Sequence, residues 1–222
     1  AIVRSLNGVT VICSLGFLVN DSGVKRYLSS QHCDATGKAG WRNGTGMLVT
    51  GGGLKVDVDK GTDSMIMTTD ASTFSALAYT GATDSSSTIK VAGSSLAFVG
   101  EEVCASGARS GEHCGVITAG PVTVQGEKTL TGEILTLTGY TVRRSDGGPM
   151  AVGGDSGGPV YRVAVDGRAY ARGIITAAST AEPDIVMCST RDSSTVTTTS
   201  ECSRELFFVP IKSILDRWGA TV

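Results

Sequence analysis

The segment Gly154-Asp155-Ser156-Gly157-Gly158-Pro159 constrains the fold of this chain more than any other stretch. It places a serine between glycines, with an acidic residue before the serine and a proline at the end. Gly154 permits a sharp backbone turn, so that its N–H and the N–H of Ser156 can point at one oxygen atom. A serine hydroxyl becomes a strong nucleophile only beside a base and near donors that stabilise an oxyanion. The segment is therefore a glycine-rich hairpin turn or a nucleophile loop, and its partners decide which.

The chain offers two histidines as candidate bases, His32 and His113. His32 lies in Leu28-Ser29-Ser30-Gln31-His32-Cys33, directly after an apolar segment that has the character of a strand. His113 lies beside a cysteine in the loop-like stretch Gly111-Glu112-His113-Cys114, where an exposed or structural histidine is the favoured interpretation. We therefore predict that His32 is the general base that accepts the serine proton.

Both motifs resemble those of a known protein family. Ser30-Gln31-His32-Cys33 resembles the histidine motif of chymotrypsin-like serine proteases, and the segment around Ser156 resembles their nucleophile loop. Residues 13–17, 103–107 and 113–115 resemble the bacterial secreted branch, the streptogrisin and α-lytic protease type, so the similarity spans nearly the whole chain. The resemblance implies an all-β fold of two six-stranded antiparallel β-barrels, with the active site between them and a short C-terminal helix.

The resemblance also implies how the site is divided. Residues 1–100 would form a barrel that carries the histidine and an aspartate, and residues 101–222 a barrel that carries Ser156 and the specificity pocket. The family's chain order of histidine, aspartate and serine fits this sequence. The N–H groups of Gly154 and Ser156 would form the oxyanion hole.

Four aspartates compete as the third member of the triad, Asp57, Asp59, Asp63 and Asp70. The residue must be buried enough to orient the imidazole and to stabilise the imidazolium ion. Asp63 precedes the apolar segment 64–67, which resembles the family's pattern of a catalytic aspartate followed by a small residue and an aliphatic run. Asp57 and Asp59 alternate with valines, as on the outward face of a half-buried strand. We predict Asp63, with Asp59 and Asp57 as alternatives.

Composition agrees with an all-β protein. The 30 glycines, the frequent Thr and Val and the charged fraction of 18% are typical of short strands joined by tight turns. The net charge is −2 and the chain has no basic cluster beyond Arg143-Arg144, so we expect neither nucleic acid nor a membrane as a partner. Without a long apolar run or a signal-peptide pattern at its start, the chain is predicted to be mature and soluble.

The six cysteines can all pair, which predicts an oxidising, extracellular compartment. Sequence alone allows many connectivities. Loop closure and the resemblance favour Cys13 with Cys33, Cys104 with Cys114, and Cys188 with Cys202. The last pair would fasten a Ser/Thr-rich loop, residues 189–200. Paired cysteines and two histidines leave no soft-ligand metal site, so we expect no metal and no cofactor.

The resemblance implies that the pocket for P1, the substrate residue before the scissile bond, is formed by two segments. One lies just before Ser156 and the other about twenty residues after it. Because Met150 stands where a trypsin-like pocket has an acid, cleavage after Lys or Arg is not expected. A methyl group at Ala178, where the family usually has glycine, should narrow the entrance, which favours small to medium apolar P1 residues. The candidate substrate-binding residues are Met150, Ala151, Thr176, Ala177 and Ala178.

Asp155 requires a partner, because the acid before the nucleophile is buried in this fold. The bacterial branch commonly supplies an arginine beside the first cysteine of the short loop, where this chain has Ala105. Arg109, a few residues further on, is the candidate substitute, and a solvated loop arginine is the alternative.

We thus predict a secreted, monomeric serine endopeptidase that cleaves polypeptide substrates through an acyl-enzyme. A pro-segment or a proteinaceous inhibitor would be a further partner. The alternative is a catalytically inactive binding module with a protease fold. Such modules usually lose a member of the triad, whereas this chain retains all three residue types in order.

Overall fold

The computed structural model describes residues 2–6, 9–34, 42–43, 54–68, 76–128, 132–191 and 197–222. These residues form β-strands throughout, with one α-helix near the C-terminus, so the predicted all-β class is confirmed. A short 3₁₀ turn, Gln31–Cys33, interrupts the strands. The elements are β1 (Ile2–Leu6), β2 (Val9–Cys13), β3 (Leu18–Asp21), β4 (Val24–Ser30), β5 (Arg42–Asn43), β6 (Lys55–Asp59), β7 (Ser64–Met67), β8 (Leu77–Tyr79), β9 (Thr88–Ser94), β10 (Glu102–Gly107), β11 (Gly111–Lys128), β12 (Ile134–Arg143), β13 (Pro159–Val163), β14 (Ala169–Ala178), β15 (Ile185–Arg191), β16 (Thr197–Ser203), β17 (Glu205–Pro210), α1 (Ile211–Trp218) and β18 (Ala220–Thr221).

Six antiparallel strands of the second half close into a barrel. Their order is β10, β11, β12, β17, β14 and β13, and β13 pairs back to β10. Strand β12 shows why the sequence forms such a surface, because buried Leu135 and Leu137 alternate with exposed Thr136 and Thr138. The inward residues of the six strands fill the barrel and leave no room for a channel.

The first half forms two antiparallel sheets. One has the order β2, β1 and β5, and the other has the order β18, β3, β4, β7 and β6. Strand β4 pairs with β7 so that Ser30, the last residue of β4, lies opposite Ser64, the first residue of β7. This register brings the turn that follows β4 next to the turn that precedes β7, and these two turns carry the candidate histidine and aspartate.

Strands from either side of residue 100 are joined in the same sheets. Strand β9 pairs in parallel with β14, with Val91 opposite Ala169, and β18 pairs with β3 near the start of the chain. A continuous hydrophobic core contains Leu28 and Ile66 from the first half and Ile174 from the second. The two halves are therefore packed on each other, and the division at residue 100 stays a prediction.

Helix α1 packs against β14 and β17 through one apolar face. Ile211, Ile214 and Leu215 are buried and Trp218 is half-buried, which forms one apolar stripe at steps of three and four residues. The helix ends at Gly219, which has φ 60° and whose N–H donates to the carbonyl of Leu215. None of the described helices has the length and hydropathy that crossing a membrane requires.

Three disulfides join Cys13–Cys33, Cys104–Cys114 and Cys188–Cys202, the pairs expected from the sequence. The third links β15 to β16, which pair as an antiparallel hairpin. The expectation of a loop at residues 189–200 was therefore wrong for the described residues 189–191 and 197–200. Threonine favours strands, and Cys188 lies opposite Ser200 in a regular ladder that the disulfide fastens.

Candidate active site

His32 and Asp63 form a closely bonded pair at the junction of β4 and β7. The imidazole Nδ1 lies 2.7 Å from Oδ2 of Asp63, and the backbone N–H of His32 donates to Oδ1 at 2.8 Å. Asp63 is fully buried, and His32 is 9% exposed. Because a carboxylate only accepts hydrogen bonds, the ring proton lies on Nδ1 and Nε2 remains the basic nitrogen. The pair thus holds the imidazole in a fixed orientation, with Nδ1 directed at Asp63.

The turn around Asp63 is fixed by neighbouring hydroxyl groups and by helix α1. Asp63 has φ 44°, in the left-handed region that aspartate tolerates better than most residues. Next to it, Ser64 Oγ lies 2.7 Å from Thr62 Oγ1 and accepts a hydrogen bond of 3.0 Å from Trp218 Nε1. The indole N–H of Trp218 thus reaches a residue 154 positions away in the chain, which no local sequence pattern indicates.

The alternative acids lie elsewhere. Asp57 is exposed on β6. Asp59 accepts hydrogen bonds from Arg217 and Thr62. Burial alone would raise the pKa of Asp59, but these bonds outweigh it and lower the pKa. Asp70 lies outside the described residues.

The nucleophile loop is bonded to strands of the first half. The N–H of Ser14 donates to the carbonyl of Ser156 at 2.8 Å. The carbonyl of Ile175 accepts both the N–H of Gly157, at 2.7 Å, and the hydroxyl of Ser30, at 2.9 Å. Since Ser30 lies two residues before His32, these bonds fix the loop beside the histidine turn.

Gly157 shows how close this approach is. A Cβ atom at this position would lie 2.4 Å from Ser29 Oγ and 2.9 Å from the backbone nitrogen of Ser30, and Gly157 has φ 85°. Only glycine satisfies both conditions. The residue after Ser156 therefore packs directly against the end of β4, which leads into His32.

The backbone N–H groups of Gly154 and Ser156 are available for a ligand. Gly154 has φ 101°, which the sharp turn before the serine requires. Among the residues that the structure describes, neither N–H donates to a backbone carbonyl or a side chain. Ser156 itself is 7% exposed. Two such amides beside one hydroxyl are the arrangement that stabilises an oxyanion during acyl transfer.

Asp155 is completely buried and is satisfied without an ion pair. Its Oδ1 accepts the backbone N–H groups of Arg109 and Ser110 at 2.9 and 3.1 Å. Its Oδ2 accepts the hydroxyl of Ser110 at 2.5 Å and the N–H of Val152 at 2.9 Å. Four donors thus replace the cation that a buried carboxylate usually needs.

The expectation that the Arg109 side chain would pair with Asp155 is therefore wrong. Arg109 contributes its backbone N–H to the carboxylate, whereas its guanidinium Nη1 donates to the carbonyl of Gly153 at 2.8 Å. No sequence pattern indicated these contacts, because serine and backbone amides as carboxylate partners leave no recognisable motif.

Gly107 makes room for the buried carboxylate, and we expect Gly107→Ala to disrupt the loop. A Cβ atom at residue 107 would lie 2.0 Å from Cγ of Asp155, which cannot move without losing its four donors. Overpacking of this kind costs about 1–3 kcal/mol of unfolding free energy. Thermal or urea unfolding would measure it. Gly61→Ala is the control, since a Cβ atom there meets only Asp59 Oδ2 at 3.5 Å, and equal stability losses would contradict the prediction.

The candidate substrate-binding residues occupy two adjacent segments. Met150 and Ala151 are buried and both bond to Ser203. The N–H of Met150 donates to the carbonyl of Ser203 at 2.7 Å, and the N–H of Ser203 donates to the carbonyl of Ala151 at 2.7 Å. Thr176 is buried at a β-bulge of β14, where the pairing with β17 shifts register. Ala177 and Ala178, at the end of β14, are half-buried.

His113 lies on β11, next to the Cys104–Cys114 disulfide and near the carboxylate of Asp155. It is half-buried, and burial lowers the pKa of its imidazole. Asp155 and Glu112 raise this pKa and Arg144 lowers it, with a net decrease. Glu112 lies close to the two cysteines, but their disulfide leaves no thiolate ligand. The structural interpretation of His113 stays a prediction.

Several solved structures that resemble this chain are proteases. No protein-family model and no curated protein sequence matches the chain. A glutamic acid-specific serine protease, described as using a novel histidine triad in substrate binding, is 23% identical with a TM-score of 0.68, over 100% of this chain and 97% of that one. Chymotrypsin of Cellulomonas bogoriensis is 26% identical with a TM-score of 0.62, over 97% and 92%. Protease A of Thermobifida fusca is 25% identical with a TM-score of 0.61, over 99% and 94%.

The similarity extends over almost the full length of each of these proteins. It includes the closed barrel, the sheets of the first half and the short C-terminal helix. The architecture and the matched length confirm the resemblance of this chain to chymotrypsin-like serine proteases of the bacterial streptogrisin and α-lytic protease branch, whose fold it shares.

Proposed function

We propose that the chain is a serine endopeptidase whose catalytic triad is His32, Asp63 and Ser156. The observation that carries the proposal is the buried His32–Asp63 pair, with Nδ1 and Oδ2 2.7 Å apart, next to a serine loop fastened to the same strand end. Ser156 would attack the carbonyl carbon of the scissile peptide bond while His32 Nε2 accepts its proton.

The tetrahedral intermediate would place its negative oxygen between the N–H groups of Gly154 and Ser156. His32 would then return the proton to the leaving amine, which departs and leaves an acyl-enzyme on Ser156 Oγ. A water molecule, deprotonated by the same Nε2, would hydrolyse the ester and restore the serine. Asp63 would remain ionised and stabilise the imidazolium ion in both half-reactions.

We further propose small to medium apolar P1 residues as the preferred substrates. Met150 is apolar and buried, so it offers no counter-charge for a Lys or Arg side chain at this position. The methyl group of Ala178 would narrow the entrance, where the family usually has glycine. Cleavage of a peptide library would test this preference: enrichment of Lys, Arg, Asp or Glu at P1 would contradict it. A pocket whose shape is set by one or two methyl groups discriminates between P1 side chains by only about 1–3 kcal/mol of transition-state binding free energy.

Secretion, a monomeric state, and a pro-segment or proteinaceous inhibitor as partner belong to the same proposal. The three disulfides support an oxidising compartment, and polypeptide substrates follow from the protease architecture.

Labelling with an organophosphate or a sulfonyl fluoride tests the proposed function. Covalent attachment at Ser156, located by mass spectrometry of peptides, is the expected result, because only an activated serine reacts at an appreciable rate. The matched control is Ser110, a buried serine that is bonded to Asp155 and should stay unlabelled. A folded protein that takes no label would instead support the inactive binding module.

A further inference from the structure

The peptide unit between Gly153 and Gly154 carries one of the two proposed oxyanion donors. In a trans peptide the C=O and N–H groups point in opposite directions. The direction of the Gly153 carbonyl therefore determines the direction of the Gly154 N–H. Glycines on both sides place little steric restriction on rotation of this unit, so something outside the loop must hold it.

The guanidinium group of Arg109 holds the carbonyl side of this peptide. Its Nη1 donates to the carbonyl of Gly153 at 2.8 Å. A hydrogen bond from a cation is shorter and stronger than one between neutral groups. A rotation of the peptide by half a turn would break this bond and direct the Gly154 N–H away from the substrate.

The aliphatic part of the Arg109 side chain covers one face of Gly154. A Cβ atom at residue 154 would lie 2.4 Å from Cδ and 3.1 Å from Cγ of Arg109, and 3.5 Å from Ile12 Cγ2. The side chains of Arg109 and Ile12 thus both approach the face of Gly154 on which a Cβ atom would lie. Packing and hydrogen bonding by the same side chain both favour a single orientation of the peptide.

Arg109 is itself anchored to the nucleophile loop and to a neighbouring strand. Its N–H donates to Asp155 Oδ1 at 2.9 Å, and its carbonyl accepts the N–H of Arg191 at 2.8 Å. Ser110 adds a second N–H and a hydroxyl to the same carboxylate. The backbone of residues 109–110 therefore binds the residue after Gly154, while the Arg109 side chain binds the residue before it.

We propose that Arg109 is a positioning residue of the oxyanion hole, which fixes the Gly153–Gly154 peptide in the orientation that directs the Gly154 N–H toward the substrate oxygen. The inference rests on the proposed serine endopeptidase activity. Arg109 acts through Gly154 and does not contact the reacting atoms, so its removal should weaken binding of the transition state more than binding of the substrate.

Arg109→Met tests this role, since methionine keeps an aliphatic stem over Gly154 and loses the donor to Gly153. Complete loss of one oxyanion donor lowers kcat by about 10²–10³-fold. In Arg109→Met the Gly153–Gly154 peptide unit should sample both orientations, so that only part of this rate is lost. We expect kcat to fall about 10–100-fold and KM to change by less than about 3-fold. Affinity for a peptidyl trifluoromethyl ketone, whose adduct places an oxyanion in the hole, should fall in parallel with kcat.

Arg109→Lys and Arg168→Met complete the experiment. Lysine keeps a cationic donor and should restore part of kcat relative to Arg109→Met. Arg168 is a surface arginine that pairs with Asp166, so its loss should leave kcat unchanged. If Arg109→Met does not fold, Arg109→Lys is compared with the parent protein. The lysine side chain is shorter and ends in a single ammonium group, so this variant should still lower kcat several-fold.

The outcomes separate this inference from the proposed function. If the parent protein is labelled at Ser156 and the Arg109 variants keep its kcat and its inhibitor affinity, the positioning role is wrong and the proposed function stands. A rise in KM that lowers kcat/KM by the same factor, with kcat unchanged, would also contradict the positioning role. A parent protein without labelling would overturn the proposed function and this inference together.

Discussion

We expect Ser156→Ala to fold like the parent and to lose peptide hydrolysis by about a millionfold, because the three residues of a triad act as a unit. The backbone of Ser156 makes the structural bond, through its carbonyl to the N–H of Ser14, and the substitution leaves it in place. The hydroxyl is the proposed attacking group, and alanine has none. Hydrolysis of a chromogenic peptide amide at saturating concentration measures kcat, and thermal unfolding reports the fold.

Ser203→Ala is a matched control for this experiment. Its hydroxyl is also buried, but it bonds locally to the carbonyl and the N–H of Glu205. We expect this variant to keep kcat within a few-fold. Ser156→Ala with turnover within tenfold of the parent would exclude Ser156 as the nucleophile.

We expect Asp63→Asn to lower kcat by about 10⁴-fold with little change in substrate binding. The amide oxygen of the new side chain can accept the backbone N–H of His32, as Oδ1 of Asp63 does at 2.8 Å. The amide NH₂ of the new side chain then donates a hydrogen bond to Nδ1 of the imidazole. The ring proton therefore lies on Nε2, which can no longer act as the base. The carboxylate that would stabilise the imidazolium ion is lost as well.

Asp59→Asn distinguishes the two acids that the sequence left open. Asp59 bonds Arg217 and Thr62 and does not contact His32, so we expect kcat within about 3-fold and stability within about 1 kcal/mol of the parent. A larger kcat loss in Asp59→Asn than in Asp63→Asn would assign the triad acid to Asp59 instead.

Local sequence predicted those features of the candidate site that depend on the type of a single residue. The glycines at 154 and 157 have φ 101° and 85°, as a sharp turn and a close backbone approach require. The alternation of Asp57 and Asp59 with valines predicted an outward strand face, and Asp57 is exposed on β6, whereas Val56 is exposed as well and Asp59 is half-buried. The burial of Asp63 followed from its place just before an apolar strand, where it is fully buried.

Prediction failed where contacts depend on residues far apart in the chain. Three of the four hydrogen bonds to Asp155 come from residues 109 and 110 and the fourth from Val152, and three of the four donors are backbone amides that any sequence would supply. The Ser/Thr-rich stretch after Cys188 was expected as a loop, because its low apolar content says nothing about the ladder it forms with residues 197–203.

The sequence by itself predicted the proposed chemistry of this protein, because the candidate nucleophile, base and acid are distinct residue types in short motifs and glycine marks the backbone that must turn. It also predicted the all-β class and, together with the family resemblance, the three cysteine pairs. Only the tertiary structure decided how the loop around Ser156 is held: an uncharged cradle for Asp155, and an arginine that binds the carbonyl of Gly153. The physical reason is that backbone donors and carbonyls are the same at every position, so only the fold determines which of them meet.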